Sequence, residues 1–323
     1  MPLPVTALHT YRSDDVAAMA EVWNEAFAGG PNFVRLQPAD LRRRVIDQPA
    51  FDAKGLLVAA RGDRAFGFVH FGPRTNQWSR HSERAVDRSE GHIYALVAPE
   101  SERALSGDLL AAAVERLHET GARRVLLGPS WVYGTQPFYN GIAGAYEMPG
   151  ISARRRGLLE LASEHDFKPT AEYGTPELDL QDGECGARLA ADAEPLWERA
   201  REWGLHRTER HVRSDLFPSR TLVELGRGDQ TIAMTAYGLW PEYEREYGRR
   251  VFGLTNVQVA ADWRGRGIGK LVVICALEGA LKTGAEAAHL HVWRDNAAAW
   301  NLYHRALGFQ PRYTWLTLAK EVR

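Results

Sequence analysis

Cysteine is scarce in this chain, and charge of one sign is not in excess. Only Cys185 and Cys275 occur among 323 residues, so we expect neither a disulfide framework nor a zinc site. The formal net charge is −1, which offers no basic excess for nucleic acid or an acidic membrane surface. No apolar run is long enough to span a bilayer, and the N-terminus lacks the apolar stretch of a signal peptide. These absences predict a cytoplasmic protein without metal, nucleic-acid or membrane partners.

The length of the chain indicates more than one domain. A chain of 323 residues, 45% of them hydrophobic, is too long for one compact core and suits two α/β domains. Residues 181–186 are polar and glycine-rich and are typical of a joint. We therefore predict one domain over residues 1–183 and a second over residues 184–323.

The most informative stretch runs from Val257 to Lys270, where a strand-like run passes through a glycine-rich turn into an apolar helix. Such a connection places several backbone N–H groups and the positive end of the helix dipole at one point. Glycine is needed there because a Cβ would keep a phosphate away from the backbone. Arg264, Arg266 and Lys270 add positive charge around the same point. The stretch predicts a pyrophosphate site.

The spacing of the turn distinguishes between phosphate-binding families. A dinucleotide-binding loop would need glycine where Lys270 stands, and a P-loop would need glycine in place of Arg264. The pattern R-x-x-G-x-G formed by Arg264, Gly267 and Gly269 instead resembles the acyl-CoA loop of the GCN5-related N-acetyltransferases, the GNAT superfamily. The resemblance implies that the loop amides hold the pyrophosphate of acetyl-CoA and that the preceding strand holds its pantetheine arm. The residues so implicated are Val257, Gln258, Val259, Arg264, Gly265, Arg266, Gly267, Ile268, Gly269 and Lys270.

A second signature follows at the distance usual in that family. A short strand leads to Asn296, which is typical of a helix N-cap, and to a helix with apolar residues at helical spacing. Gly308 and Phe309 end that helix. The string N-x-x-A with Tyr303 and Gly-Phe resembles the second GNAT signature. The resemblance implies that Asn296 contacts the cofactor or orders a water, and that Tyr303 serves both the cofactor and the chemistry.

Acetyl transfer to an amine sets its own requirements. The amine must lose a proton, the developing oxyanion needs hydrogen-bond donors, and the CoA thiolate needs an acid. The resemblance implies Tyr303 as that acid, a backbone N–H at Val257 or Val259 as oxyanion donor, and a primary amine of a small molecule as acceptor. Tyr303 on an amphipathic helix is also a common core residue, and Asn296 is also a plain helix cap.

The general base is not evident from the sequence. The family often has a glutamate in the strand before the loop, where this chain has Thr255, Asn256 and Gln258. The remaining candidates are Glu244 with its neighbours Glu242 and Glu246, Glu224 on a predicted hairpin, and His291. Each of these types is more often a solvated or packed residue than a base, so we expect a water relay with a loop glutamate.

The first half repeats the order of predicted elements but not the loop. Where the second half has its arginine and glycines, the first offers Arg103, Ser106 and Asp108, and an aspartate there would repel phosphate. We therefore predict an α/β (α+β) chain of two tandem GNAT-like domains, each a mixed, mainly antiparallel twisted sheet flanked by helices. The first is predicted to be a degenerate copy that does not bind CoA. The charged segments at 74–90 and 240–250 are predicted to be loops.

Three functional interpretations stay open. The first is an N-acetyltransferase with one competent site, and the second is a protein that binds or senses acyl-CoA without turnover. The third is an acetyltransferase like mycothiol synthase, which has a similar two-copy arrangement and length. The Phe-His-Trp-Thr-Lys stretch associated with that enzyme is absent from this chain. Whether the protein is a monomer or a homodimer also stays open.

Overall fold

The protein is described from a computed structural model, which covers residues 7–61, 64–75, 86–128, 138–144, 150–212 and 220–322. The chain divides into two compact units, the first formed by Met1–Tyr173 and Thr314–Arg323 and the second by Gly174–Tyr313. This division differs from the predicted 1–183 and 184–323, because the chain changes unit within a strand and returns to the first unit at its end. Composition marks an exposed joint but not a change of packing partners along one continuous strand.

The first unit contains most of the N-terminal half of the chain. Its elements are β1 (Ala7–Thr10), α1 (Asp15–Phe27), α2 (Pro38–Leu41) continued by a π-helical turn (Arg42–Ile46), β2 (Leu56–Arg61), β3 (Arg64–Thr75), β4 (Val86–Val97), α3 (Arg103–Glu119), β5 (Arg124–Leu127), β6 (Ile151–Ser152), α4 (Arg156–Glu164) and the start of β7 (Lys168–Asp179).

The second unit begins with the rest of β7. It continues with α5 (Cys185–Glu202), β8 (His206–Val212), β9 (Arg220–Arg227), β10 (Gln230–Leu239), α6 (Pro241–Tyr247), β11 (Val251–Val259), α7 (Ile268–Lys282), β12 (Ala287–His289), β13 (Val292–Trp293), α8 (Ala297–Trp300) with a π-helical turn (Asn301–Ala306), and the start of β14 (Gln310–Glu321).

Each unit is built on a mixed sheet. In the first unit, β1 to β5 are neighbours in chain order, β4 and β5 run parallel, and the end of β14 lies antiparallel to β5. In the second unit the order is β7, β12, β11, β10, β9, β8, with β11 and β12 parallel and the other described neighbours antiparallel. The predicted fold class, mainly antiparallel sheets flanked by helices, is confirmed.

The core of the second unit forms around α7. This helix buries almost every residue from Ile268 to Ala280, because its sequence is apolar on all sides. It packs on α5, β10 and β11, and Cys275 is buried in it as expected. None of the helices in the described ranges is long and apolar enough to cross a membrane.

Several predicted boundaries change. The segment 240–250 is not a loop throughout, because Pro241 at the first helical position and glutamates in the first turn begin α6. In the segment 74–90, β3 extends to Thr75 and β4 begins at Val86, while 76–85 lies outside the described residues. The strands β8 and β14 were not predicted, and α5 begins at Cys185 within the predicted joint.

Candidate functional site

The turn between β11 and α7 adopts the backbone that its glycines allow. A short 3-10 turn over Ala261–Trp263 follows β11, and the chain then reaches α7 through Gly265 and Gly267. Their φ angles are +74° and +85°, a left-handed conformation that costs other residues about 1–2 kcal/mol. The sequence of the turn therefore fixes how the chain enters α7.

The N-terminus of α7 is open to a ligand. No side chain caps the helix at Gly267, and the helical hydrogen-bond ladder begins with Leu271 N–H donating to the Gly267 carbonyl at 3.0 Å. The N–H groups of Ile268, Gly269 and Lys270 therefore have no acceptor within the helix. Together with the positive end of the helix dipole, such free N–H groups favour an anion.

The three cations of the turn are each engaged within the second unit. Arg264 Nε donates to the Val259 carbonyl at 3.1 Å, and Lys270 Nζ lies 3.0 Å from Asp192 Oδ2. The Arg266 guanidinium lies 5.2 Å from the centre of the Trp263 ring. The positive charge stays at the turn, and these contacts also hold its conformation, so an anion there would meet both the backbone N–H groups and the remaining side-chain donors.

The neighbouring strands β11 and β12 separate beside this turn. In the described chain their parallel ladder ends where Gly253 pairs with His289, whereas β11 stays paired with β10 as far as Val259. From residue 254 to 259, the edge of β11 that faces away from β10 is therefore open. An open edge can hydrogen-bond an extended ligand through its backbone.

A bulge marks the start of the open edge. Asn256 has a φ of +57°, and the ladder with β10 shifts between Met234, which pairs with Gln258, and Ala236, which pairs with Thr255. The extra residue on β11 bends the strand and changes the direction of its backbone N–H and C=O groups. Asn256 and Gln258 are exposed, whereas residues 251–255 are buried.

Two backbone N–H groups of β11 face the open edge. The N–H of Ala260 donates to the Ile232 carbonyl on β10 at 2.8 Å, and the Val259 carbonyl accepts from Arg264. Backbone groups alternate between the two edges of a strand. The N–H groups of Val257 and Val259, the expected oxyanion donors, therefore point away from β10.

The second signature lies on α8 and the π-helical turn after it. Asn296 Oδ1 accepts from Ala299 N–H at 3.1 Å, so Asn296 caps the helix. Tyr303 is 6% exposed and packs edge-on against Phe309, with ring centres 5.8 Å apart. Burial raises the pKa of Tyr303 above that of a free phenol, so the hydroxyl stays protonated at neutral pH. His304 is turned elsewhere and contacts the Phe309 carbonyl through Nδ1 at 2.8 Å.

The predicted glutamate bases are engaged by arginines. Glu244, on α6 with its two neighbouring glutamates, accepts from Arg250 Nε at 2.9 Å. Glu224, on β9, accepts from Arg210 Nε at 3.2 Å and from Thr231 Oγ1 at 3.1 Å. Each carboxylate is therefore already occupied by an arginine side chain.

His291 is also poorly suited to be a base. Burial and the charge of neighbouring His289 lower the pKa of His291 to about 3. Its Nδ1 lies 2.8 Å from Thr175 Oγ1. The imidazole is therefore neutral at physiological pH and has little affinity for a proton.

A histidine that sequence reasoning missed lies where β11 and β12 part. His289, 2% exposed, contacts Glu177 Oε2 through Nε2 at 2.6 Å. Burial raises the pKa of Glu177, but the His289 hydrogen bond and the charges of His289, Arg249 and Arg312 outweigh it and lower the pKa to about 2. Because an ionised carboxylate only accepts, Nε2 must donate, which leaves Nδ1 of a neutral ring as an acceptor.

The free nitrogen of this pair and a nearby hydroxyl are both buried without partners. Within the described residues, neither His289 Nδ1 nor Thr255 Oγ1 has a hydrogen-bond partner. His289 pairs with Gly253, and Gly253 and Thr255 are two residues apart on β11, so their side-chain positions share one face of the sheet. Buried polar atoms left unpaired at one point are typical of a place that a ligand or water completes. In the described residues no group of three or more His, Cys, Asp or Glu side chains could hold a metal ion.

Comparison with known proteins agrees with these features. The profile described as "Acetyltransferase (GNAT) family" matches residues 186–309. A protein named mycothiol acetyltransferase from Brachybacterium faecium is 32% identical over 117 residues, 36% of this chain and 33% of that protein. The chain thus spans about a third of the length of this curated relative.

Two solved structures share the fold over 98% of the chain. A tandem GNAT protein from the clavulanic acid biosynthesis pathway has a TM-score of 0.68 and 13% identity, and 98% of it is covered. The GCN5-related glucosamine N-acetyltransferase region of a fungal multi-domain β-N-acetylglucosaminidase has a TM-score of 0.69 and 17% identity, with 38% of that chain covered. The profile match includes both signatures, and these likenesses extend the fold to the rest of the chain. Residues 186–309 are thus similar to the acetyltransferase (GNAT) family, and the chain shares the fold of these two solved structures.

Proposed function

We propose that the second unit transfers an acetyl group from acetyl-CoA to a primary amine of a small molecule. One observation carries the proposal: the open edge of β11 leads directly into the uncapped N-terminus of α7. An extended pantetheine arm needs an open strand edge, and the pyrophosphate attached to it needs a helix N-terminus. Members of the superfamily generally take the acetyl group from acetyl-CoA.

The residues present fit this co-substrate. Phosphate oxygens would accept from the N–H groups of Ile268, Gly269 and Lys270, and the arm would pair with the edge of β11. A Cβ on Gly269 would make only ordinary contacts, at 3.5 Å to Val259 Cγ2 and 3.7 Å to Leu302 Cδ2. The fold by itself therefore does not require glycine at this position, whereas a phosphate close to the backbone would.

Acetyl-CoA supplies a thioester, whose carbonyl carbon forms a bond to the amine nitrogen as the bond to sulfur breaks. The N–H groups of Val257 and Val259 are the donors for the oxygen of that carbonyl. Tyr303, protonated because it is buried, donates the proton that the leaving thiolate takes.

We assign the base role to His289 held by Glu177. Its Nδ1 is a buried acceptor at the point where β11 and β12 part. The Glu177 carboxylate fixes the tautomer and stabilises the imidazolium that forms, as in other base–orienter pairs. Glu224 and Glu244 are bound by arginines, whereas His289 Nδ1 is an acceptor without a partner in the described residues.

The test is turnover of acetyl-CoA in the presence of a panel of small primary amines, followed by release of CoA thiol and by the mass of the product. Amine-dependent release is expected, and His289→Gln should lower kcat/KM and change its dependence on pH. Glu177→Gln should have a smaller effect of the same kind. An unchanged pH profile in His289→Gln would contradict the base assignment, and hydrolysis without amine transfer would contradict the proposed reaction.

The mycothiol-type alternative has one supporting observation, the 32% identity to the Brachybacterium protein. If it holds, the amine that a mycothiol acetyltransferase acetylates should exceed every other member of the panel in kcat/KM. Binding of acetyl-CoA without turnover on any amine would instead favour the sensing alternative.

A further inference from the structure

Two neighbouring strands of the first unit, β4 and β5, also separate. The parallel ladder of β4 and β5 ends where Ile93 pairs with Leu127, and Gly128 N–H donates to the Ile93 carbonyl at 3.1 Å just beyond it. β4 continues to Val97. A cavity of about 420 Å³ opens at this point, within the size range of ligand pockets of ~300–1,000 Å³.

The cavity is lined mainly by apolar side chains. They come from α1 and the segment after it, from β4, and from the end of the chain, and include Trp23, Phe27, Phe33, Ile142 and Trp315. A pocket that combines such a lining with a few polar groups is the usual form of a small-molecule site. The remaining question is which polar group would orient a ligand.

Arg155 supplies a cation without an anionic partner. Its guanidinium lies 4.5 Å from the centre of the Phe27 ring, and both side chains line the cavity. Glu100 also lines the cavity, but among the described residues it forms no ion pair with Arg155. Burial lowers the pKa of Arg155 to about 10, against the charge of Glu100, which raises it. Arg155 is partly buried, and a partly desolvated guanidinium without an ion pair is favoured by a bound anion.

The first turn of α4 adds to the same polarity. The helix begins at Arg156, no side chain caps it at Arg155, and Leu158 of its first turn lines the cavity. The positive end of a helix dipole favours an anion near these residues. An arginine fork binds a carboxylate through two parallel hydrogen bonds.

The neighbouring segment is not built for a pyrophosphate. Glu100 and Glu102 precede α3, and Ser106 Oγ donates to the Glu102 carbonyl at 3.3 Å. Arg103, which replaces the loop arginine, donates to Glu164 at 2.7 Å and to the Gly157 carbonyl at 2.8 Å. No residue from 99 to 108 has the left-handed backbone found at Gly265 and Gly267. Carboxylates before the helix would repel a multiply charged pyrophosphate more strongly than a ligand with a single negative charge.

We propose that this cavity is a second ligand site, which takes a small monocarboxylate with an apolar body and holds its carboxylate on Arg155. The site lies wholly within the first unit and does not depend on acetyl transfer by the second. It gives the first copy of the fold a ligand of its own in place of a lost CoA site.

The experiment is calorimetric titration of the full chain with octanoate and with 1-octanol, the same chain without charge. Octanoate should bind with a stoichiometry of one. Arg155→Met should weaken octanoate binding at least tenfold and leave 1-octanol within twofold of wild type. The exposed neighbour Arg156 does not line the cavity, so Arg156→Met is the matched control and should bind both compounds as wild type does.

A second variant, Ala143→Phe, fills the cavity and should abolish binding of both compounds. Acetyl-CoA binding should persist in every variant, which shows that the second unit is folded. Failure of wild type to bind octanoate, or equal octanoate affinity in Arg155→Met, would overturn the proposal. Two acetyl-CoA sites per chain, one of them displaced by octanoate, would overturn it as well and assign the cavity to CoA.

Discussion

A substitution at Gly269 can distinguish the requirements of the fold from those of acetyl-CoA binding. Gly267 cannot do this, because its φ of +85° and a 2.7 Å approach of any added Cβ to Leu196 Cδ2 would strain the free protein. Gly269 has neither problem, since it lies in the first turn of α7 and an added Cβ would meet only ordinary contacts. We therefore predict that Gly269→Ala leaves the fold intact and specifically weakens acetyl-CoA binding.

Gly269→Ala is expected to preserve or raise the stability of the protein but to weaken its binding of acetyl-CoA. Replacing a helical glycine by alanine stabilises a helix by at most about 1 kcal/mol, so thermal stability should be unchanged or slightly raised. A Cβ that displaces a phosphate from the helix N-terminus removes one charge-assisted hydrogen bond, worth about 1.5–3 kcal/mol. The Kd for acetyl-CoA should therefore rise by about 10- to 150-fold.

Thermal unfolding and calorimetry on the same preparations measure both quantities. Gly265→Ala is the matched control, because an added Cβ there meets nothing within 4 Å and only the φ of +74° is strained. That control should lose about 1–2 kcal/mol of stability. If Gly269→Ala bound acetyl-CoA as tightly as wild type, the placement of the pyrophosphate on α7 would be refuted.

Three further predictions follow from the second unit. Tyr303→Phe should lower kcat by about 10²–10⁴-fold, because it removes a proton donor, with the Kd for acetyl-CoA within twofold; an equal loss of affinity in calorimetry would make Tyr303 a packing residue only. The pKa of Glu177, about 2 in the folded protein, lies below its unfolded value, so its stabilisation is present above about pH 4.5 and lost as pH falls towards 2. Glu177→Gln should remove this part of the pH dependence of the unfolding free energy, at most on the order of 3 kcal/mol; an unchanged acid limb in denaturant titrations would contradict the pairing. Asp192→Asn should cost less than about 1 kcal/mol of stability and tighten acetyl-CoA binding, because Lys270 is released towards the phosphates; weaker binding would show that the ion pair serves to hold the turn.

The features that sequence predicted well are local ones. The glycine turn, the apolar α7 and the cap at Asn296 each depend on residues within one turn or strand end of each other. Backbone preferences and helical periodicity act over this range, so they can be read without knowing the fold. The open edge of β11 was anticipated only because the family resemblance supplied it.

The features that sequence missed depend on distant pairs. Glu177 and His289 are 112 positions apart and meet only because β7 and β12 are neighbours. His289 and His291 lie in one short predicted strand, and the sequence analysis named only His291 as a candidate base. In the first unit, Arg103 and Asp108 led to the prediction that the phosphate site is lost, which stays a prediction, and no pattern indicated the cavity beside Arg155.

The last strand has a consequence for the order in which the units can be completed. A ribosome makes β5 early, but its partner in β14, which pairs Leu318 with Leu127, follows only after the whole second unit. Until then one edge of β5 is bare, and bare strand edges are prone to pair with other chains. A chain cut before Thr314 would keep that exposed edge permanently. A fragment that begins at residue 184 would lack Glu177 and the stretch of β7 that pairs with β12. The unit made first is thus the last to be finished.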